Sequence, residues 1–449
     1  MIVVYIILLV FAALILLIGC IPYRFGWVYR RIHHKGVERF QAEIGPKLAQ
    51  ELFSDSALEE VDPHFRPLAQ LLLEGNAGNK LSAGNSLEII TTGERKWEAL
   101  LADIRQARKF IHLEYFRLGN DEAGRQIHAA LLQKAREGVQ VRYINETYAN
   151  RRIPWSYYKA IREAGGEVRQ FTNPKDGLLQ FFLRLDSRNH RKIVVIDGRV
   201  GYTGGMNLNN NYRYKWRDTH LRIEGPAVHA LEASFIDTWL TSGGRLPEPL
   251  PAYFNPSARG GNGPLQNQLV QVVTDEPDFP VRNVQVSYEW ILAHAREYVY
   301  MQTPYFIPPR KVLNALKAAA ARGVDVRLMV PKDVDTPLIG PVNRTFFREC
   351  LKAGIKLYLR EGNFIHAKTL VADDYLTLAG ASNLDWRSFD INHEVNTYIY
   401  NRQTALSARE VFLADIPICQ ALDLSTWRSI NNLPQLILGR LVRLFFWVL

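Results

Sequence analysis

Cysteine is scarce in this 449-residue chain: Cys20, Cys350 and Cys419 are the only three, far apart and odd in number. A disulfide framework is thereby excluded, and no Cys/His cluster has the spacing of a zinc site. The expectation is a protein of a reducing compartment that calls on no metal and no cofactor. Charged residues make up 22% of the chain and hydrophobic ones 47%. That excludes a disordered polyelectrolyte and leaves enough apolar mass for a large core. Long apolar runs are missing with one exception, and basic residues are missing ahead of that exception.

The exception is residues 2–21, twenty residues without a charge. As a helix they would span about 30 Å, the hydrocarbon thickness of a bilayer. Arg24, Arg30, Arg31 and Lys35 follow directly. A secretory signal would carry its basic residues in front. With the positive charge behind it, the segment reads as a retained anchor. The rest of the chain is then cytoplasmic, in a single-pass protein of the cell's inner membrane. The formal net charge of +10 favours a polyanionic partner, either nucleic acid or an anionic membrane surface.

Residues 1–35 are thus anchor and basic flank, and 36–84 a helical linker region with a break at Gly75-Asn76-Ala77-Gly78-Asn79. Beyond it a strand at 86–91, a helix at 97–107 and a strand at 110–115 set an α/β rhythm. An internal repeat organises the remainder. Leu131-x3-Ala135-x2-Gly138-Val139-x-Val141-Arg142 is answered by Leu316-x3-Ala320-x2-Gly323-Val324-x-Val326-Arg327. Each reads as a helix ended by glycine and followed at once by a strand. The expected fold is α/β, with two pseudo-twofold-related halves at 85–245 and 285–425, each a mixed sheet flanked by helices. The Pro/Gly-rich 246–284 reads as the linker between them. Residues 426–449 are apolar but carry Arg440 and Arg443, which fits an interfacial helix or one docked on the protein's own core.

Downstream the repeat becomes strict. The first copy has His190-x-Lys192-x4-Asp197 and the second His366-x-Lys368-x4-Asp373. Seventeen residues after each histidine stands an asparagine, Asn207 and Asn383, and twenty-eight after it an acid, Asp218 and Glu394. Every equivalence keeps the offset 176. On a strand, residues two apart share a face, so each histidine points with its lysine into one cleft. Two halves packed about a pseudo-twofold axis would merge the clefts into one site. Asp197 and Asp373 fall on the other parity, which reads as a structural tie from strand to turn within the motif.

Phosphodiester exchange needs what such a site offers. A neutral imidazole can attack phosphorus and become a phosphohistidine. A second, protonated, can give its proton to the departing oxygen. Two lysines and two asparagines can donate to the non-bridging oxygens. Asp218 and Glu394 suit the other ring nitrogens, fixing the tautomers.

These residues resemble the paired HKD motifs of the phospholipase D superfamily. Four contexts resemble its cardiolipin synthase branch: Arg188-Asn189-His190-Arg191-Lys192-Ile193, Trp216-Arg217-Asp218, Asn383-Leu384-Asp385-Trp386-Arg387-Ser388 and Thr303-Pro304-Tyr305-Phe306-Ile307-Pro308. The likeness covers roughly residues 85–425. It implies two phospholipase D-like halves and transfer of a phosphatidyl group between two phosphatidylglycerol molecules with release of glycerol. His190 would be the nucleophile and His366 the acid. The anchor and these contexts favour lipid over nucleic acid. A phospholipase D-type hydrolysis of phospholipid or nucleic acid is the alternative. Two departures stand out. The branch commonly has two N-terminal membrane spans where one is found here, and it often has paired Asp residues where this chain reads Tyr143-Ile144-Asn145-Glu146.

Outside the repeat, His112, His220 and His229 read as packing or surface residues. Residues 178–183 (LLQFFL) read as core or as an apolar lip, and Arg151-Arg152 as a solvated face. Arg184, Arg188 and Arg191 stand close enough to the motif to meet anionic headgroups.

Overall fold

The computed structural model describes residues 55–76, 78–171, 187–255, 259–277, 279–430 and 433–444. The anchor read at 2–21, its flank, the segment 178–183, Arg184 and the last five residues lie outside the described residues. Among the described residues no helix is long and apolar enough to cross a membrane.

The first half contributes strands β1 (Lys80–Ile90), β2 (Phe110–Tyr115), β3 (Gln140–Asn145), β4 (Glu167–Gln170), β5 (Lys192–Ile196), β6 (Val200–Gly204) and β7 (His220–Glu224). The second contributes β8 (Leu265–Asp275), β9 (Tyr298–Gln302), β10 (Phe306–Ile307), β11 (Asp325–Pro331), β12 (Lys356–Arg360), β13 (Thr369–Ala372), β14 (Leu376–Gly380), β15 (Leu384–Asp385), β16 (Glu394–Tyr400) and β17 (Cys419–Leu422). Fifteen of them form one continuous mixed sheet in the order β17-β12-β11-β9-β13-β14-β16-β8-β1-β7-β6-β5-β2-β3-β4. Reading outward from the β8/β1 seam, both wings repeat the same connectivity, and only β17 lacks a counterpart. In each wing three parallel strands (β2, β3, β4 and β9, β11, β12) meet an antiparallel set. β10 and β15 pair separately.

The longer helices are α1 (Arg66–Gly75), α2 (Gly93–Gln106), α3 (Glu122–Arg136), α4 (Ala227–Thr241), α5 (Asn283–His294), α6 (Arg310–Ala321), α7 (Ile339–Lys352), α8 (Arg402–Asp415) and α9 (Leu433–Leu444). Of these, α2, α3 and α4 flank the same strands in the first wing as α5, α6 and α8 in the second. The repeat units are α3–β3 and α6–β11. Each helix ends before a glycine in the left-handed region, Gly138 at φ 84° and Gly323 at φ 92°, which frees the chain to turn straight into a strand. Val194 and Val195, fully buried, belong to apolar clusters on opposite faces of the sheet's first wing. That explains why β5 reads as an unbroken apolar run.

The structure revises two boundaries. Within 36–84 the described residues hold α1, but β1 already begins at Lys80, ahead of the strand expected from 86. A register shift between Ser82 and Asn85, with Gly84 at φ 71°, interrupts the alternation that would have revealed it. The linker read at 246–284 contains β8, the strand that fuses the halves by pairing with β1 and β16.

Asp197 and Asp373 sit at the ends of β5 and β13 remote from the histidines. Asp197 accepts from the backbone N–H groups of Arg108, Lys109 and Phe110 at 2.8–2.9 Å. Asp373 does the same for Arg296, Glu297 and Tyr298 at 2.8–3.0 Å. Both hold φ near +50° (55° and 50°), which Asp tolerates better than most residues. Asp197→Ala should therefore lower unfolding stability by about 2 kcal/mol, and Asp197→Asn by less, in chemical denaturation. Catalysis per folded molecule should be little changed. A stable but inactive Asp197→Ala would contradict this assignment.

Candidate active site

Lys192 opens β5, whereas His190, His366 and Lys368 precede their strands. The chain stays extended but changes partner just before the sheet begins. Asn189 bridges His393 and Ile365 bridges Arg217, both parallel. His190 N donates to His393 O at 2.9 Å, and His366 N donates to Arg217 O at 2.7 Å. These two contacts are related by the offset 176, so each histidine is fixed by the loop carrying the other half's acid.

The side chains complete the exchange. His190 Nδ1 bonds both oxygens of Glu394, at 3.0 and 3.1 Å. His366 Nδ1 bonds Asp218 Oδ2 at 2.7 Å. Each Nδ1 is thus held by a carboxylate, which assigns substrate to the Nε2 side; Nε2 of His366 also lies 3.0 Å from Lys368 Nζ. Lys192 Nζ donates to the carbonyl of His190 at 2.6 Å and Lys368 Nζ to that of His366 at 2.5 Å. All six groups are buried and fall within one electrostatic neighbourhood: Lys368 acts on His190, and Lys192 acts on His366.

Burial moves both imidazoles below their ordinary range, with the nearby lysines adding to it and Glu394 and Asp218 opposing it. Burial pushes Lys192 down to about 7 and Lys368 to about 8 against the pull of the same two carboxylates. Burial also works to raise Asp218 and Glu394. It is outweighed, by Lys368 and His366 for the first and by His190 and Lys192 for the second, so both stay below the usual carboxylate range. A cluster of this kind is poised to accept a phosphate, whose charge would draw protons back onto lysines and imidazoles.

The asparagines lie beside this cluster. Asn207 donates to the Tyr212 hydroxyl at 2.8 Å and accepts from Arg117 N. Asn383 is buried, with its backbone N–H on Ser388 Oγ. Gly205, in the Gly204-Gly205-Met206-Asn207 run, permits the close approach of Asp218. A Cβ there would fall 2.1 Å from Asp218 Oδ1.

Several neighbours of the histidines had no site role in the sequence reading, although Trp216 and Tyr305 stood in its branch-like contexts. Tyr212 places its hydroxyl 3.4 Å from His366 Nε2. Trp216, Phe364 and Tyr305 surround the same ring at 5.3, 6.0 and 6.4 Å between centroids, while Phe116 stands edge-on to His190 at 5.1 Å. Applying the offset 176 to Tyr212 and Trp216 gives Ser388 and Asn392, which are not aromatic, so the repeat carried no signal for them. Arg191 is not available to headgroups: it is 1% exposed, ion-paired to Glu276 at 2.6 Å and bonded to the Glu394 carbonyl. Of the three histidines read as packing or surface residues, all buried, His112 bonds Glu232 and His229 bonds the Asn255 carbonyl. His220 contacts Tyr115 behind the first cleft. Among the described residues no group of three or more His, Cys, Asp or Glu side chains could hold a metal ion.

A duplicated mixed sheet that brings two HxK pairs into one electrostatic neighbourhood defines a phospholipase D-like protein. The chain matches the family "Cardiolipin synthase, PLD-like domain" over residues 100–239 and 290–416, and belongs to it. It is 39% identical over 344 residues to the major cardiolipin synthase ClsA of Bacillus subtilis, covering 74% of this chain and 69% of that protein. To a cardiolipin synthase of Staphylococcus aureus it is 36% identical over 394 residues, 86% of this chain and 78% of the other. Among solved structures it resembles the phosphatidylserine synthase of Haemophilus influenzae, with TM-score 0.60, 16% identity, and coverage of 85% of this chain and 97% of that one. At that identity the likeness concerns the fold alone.

The lysine shifts carry a pH expectation. Both ammonium groups are present below their pKa and lost as pH rises through about 7 and 8. In the free enzyme kcat/KM should fall across that interval. The limb in kcat should lie at higher pH, because a bound phosphodiester raises both lysines. A kcat/KM profile flat to about pH 9 would contradict the assignment.

Proposed function

We propose that this chain is a cardiolipin synthase, moving a phosphatidyl group from one phosphatidylglycerol to the hydroxyl of a second. The observation that carries the reading is the reciprocal clamping of His190 by Glu394 and of His366 by Asp218, beside Lys192 and Lys368. In the first step His190 Nε2 attacks phosphorus. The P–O bond to glycerol breaks, and protonated His366 gives its proton to the departing oxygen. In the second, a hydroxyl of the acceptor lipid loses its proton to His366 and attacks phosphorus, and the P–N bond breaks. Lys192, Lys368, Asn207 and Asn383 stabilise the non-bridging oxygens while charge accumulates on them.

In the free enzyme burial and Lys368 both oppose protonation of His366. The anionic substrate reverses that balance, so the acid is armed only when phosphate is bound. The enzyme works at the cytoplasmic side of the cell membrane, held there by the apolar segment 2–21.

With phosphatidylglycerol in mixed micelles, mass spectrometry should find cardiolipin and glycerol. Phosphatidic acid alone would mark hydrolysis instead, and cleavage of an oligonucleotide with lipids untouched would overturn both. His190→Ala and His366→Ala should each lower kcat by at least about a thousandfold. Phosphorus trapped by a denaturing quench at neutral pH should sit on His190 in wild type. Recovery on His366 would reverse the two roles.

A further inference from the structure

Helix α9 is amphipathic in an unusual sense. Its inner side is seated on α7: Gly439 is buried, and a Cβ there would fall 2.3 Å from the Pro341 carbonyl. Gln435 accepts from Arg344, and Arg443 lies 4.0 Å over the Phe346 ring. The opposite side carries Pro434, Ile437, Leu438 and Leu441, spaced i, i+3, i+4, i+7 and all exposed, the last three at 48%, 42% and 53%. A helix packed on a protein and facing water on its other side should be polar there. Instead the outward stripe is apolar and flanked by exposed Arg440.

The stripe stands near the cleft. Leu338, 44% exposed, immediately precedes α7, the helix that seats α9. It follows Asp335 by three residues, no more than about 11 Å of chain. Asp335 accepts from the hydroxyl of Tyr305, whose ring is 6.4 Å from that of His366. The first half's rim has an amphipathic feature of its own. Tyr148, 52% exposed, lies under the guanidinium groups of Arg151 and Arg188, at 4.4 and 4.3 Å from its ring. Arg188 stands two residues before His190 in the chain. Rings bearing a polar tip, with arginines beside them, are what proteins place at headgroup level.

We infer that the α9 stripe, with Leu338, inserts into the interfacial layer of an anionic bilayer, while Tyr148, Arg151 and Arg188 meet headgroups across the cleft mouth. This rests on the phospholipid-substrate reading. The occupant is a membrane and not a second copy of the chain. These five exposed side chains fall well short of the about 800 Å² per partner that a stable interface buries. Arg440 and the net charge of +10 complement anionic lipid. A helix lying in the interface would also bring the cleft to the substrate, whose acyl chains stay in the bilayer.

The test uses the full chain in liposomes of phosphatidylglycerol and phosphatidylcholine, with Cys20 and Cys419 replaced by Ser and buried Cys350 kept. An environment-sensitive fluorophore on Leu438→Cys should shift to the blue and be quenched by spin-labelled lipids. One on Arg136→Cys, exposed before the start of β3 and so at the strand ends away from the cleft, should not. Separately, I437S/L438S/L441S should lose at least about tenfold in rate on liposomes relative to its own rate in mixed micelles. Absence of quenching at position 438 would overturn the inference, whether a second copy or the segment 2–21 covers the stripe. So would a triple variant with an unchanged liposome-to-micelle ratio. A wild-type enzyme inert toward phospholipids would sink the functional reading instead, and the quenching would still decide the docking.

Discussion

The site depends on one exchange: each half of the molecule lends its carboxylate to the histidine of the other. At the site both imidazole–carboxylate pairs join the halves: Asp218 lies 148 residues from His366 and Glu394 lies 204 from His190. Both pairs are buried, where removing one partner of a hydrogen bond typically costs about 1–3 kcal/mol, more for a charged group. The joined sheet therefore serves a purpose beyond stability. The β8/β1 seam, with β16 beside it, sets the register that brings residues 190 and 394 together, and 366 and 218. Arg191 ties the same region from behind, since its guanidinium spans Glu276, Thr238 and the carbonyl of Glu394.

Within this near-symmetrical frame the two histidines have different neighbours. His366 stands among Tyr212, Trp216 and Phe364 with one short bond to Asp218. His190 meets Phe116 and both oxygens of Glu394. Two identical rings in identical settings would titrate alike and could not divide acid and nucleophile between them. The aromatic wall on one side supplies an asymmetry that the duplicated motif lacks.

Much of this was legible in the sequence, and the exceptions have physical causes. The sequence reading took Asp197 as a tie from strand to turn, and the residue stands just past the end of β5. That reading did not disclose that three backbone N–H groups converge on Asp197, because those donors belong to the start of β2, nearly ninety residues earlier. The linker reading failed for β8 because Gln266, Gln268 and Gln271 make that strand look solvated. In the fold Gln268 and Gln271 are fully buried, and their polarity is absorbed by Thr404, the Ala69 carbonyl and the Tyr400 hydroxyl. Arg191 was misjudged for the same reason: a charge reads as surface until the carboxylates that bury it are known.

By itself the sequence determined the duplication, the constant offset, the residue types at the reacting positions and the family to which they belong. All of these are properties of order along one chain, set by strand and helix periods. Tertiary structure alone decided which acid serves which histidine, which arginine is hidden and which face of α9 is left apolar and bare. Those outcomes depend on register between strands and on packing between helices far apart in sequence, where a shift of one residue would turn every side chain to the opposite face.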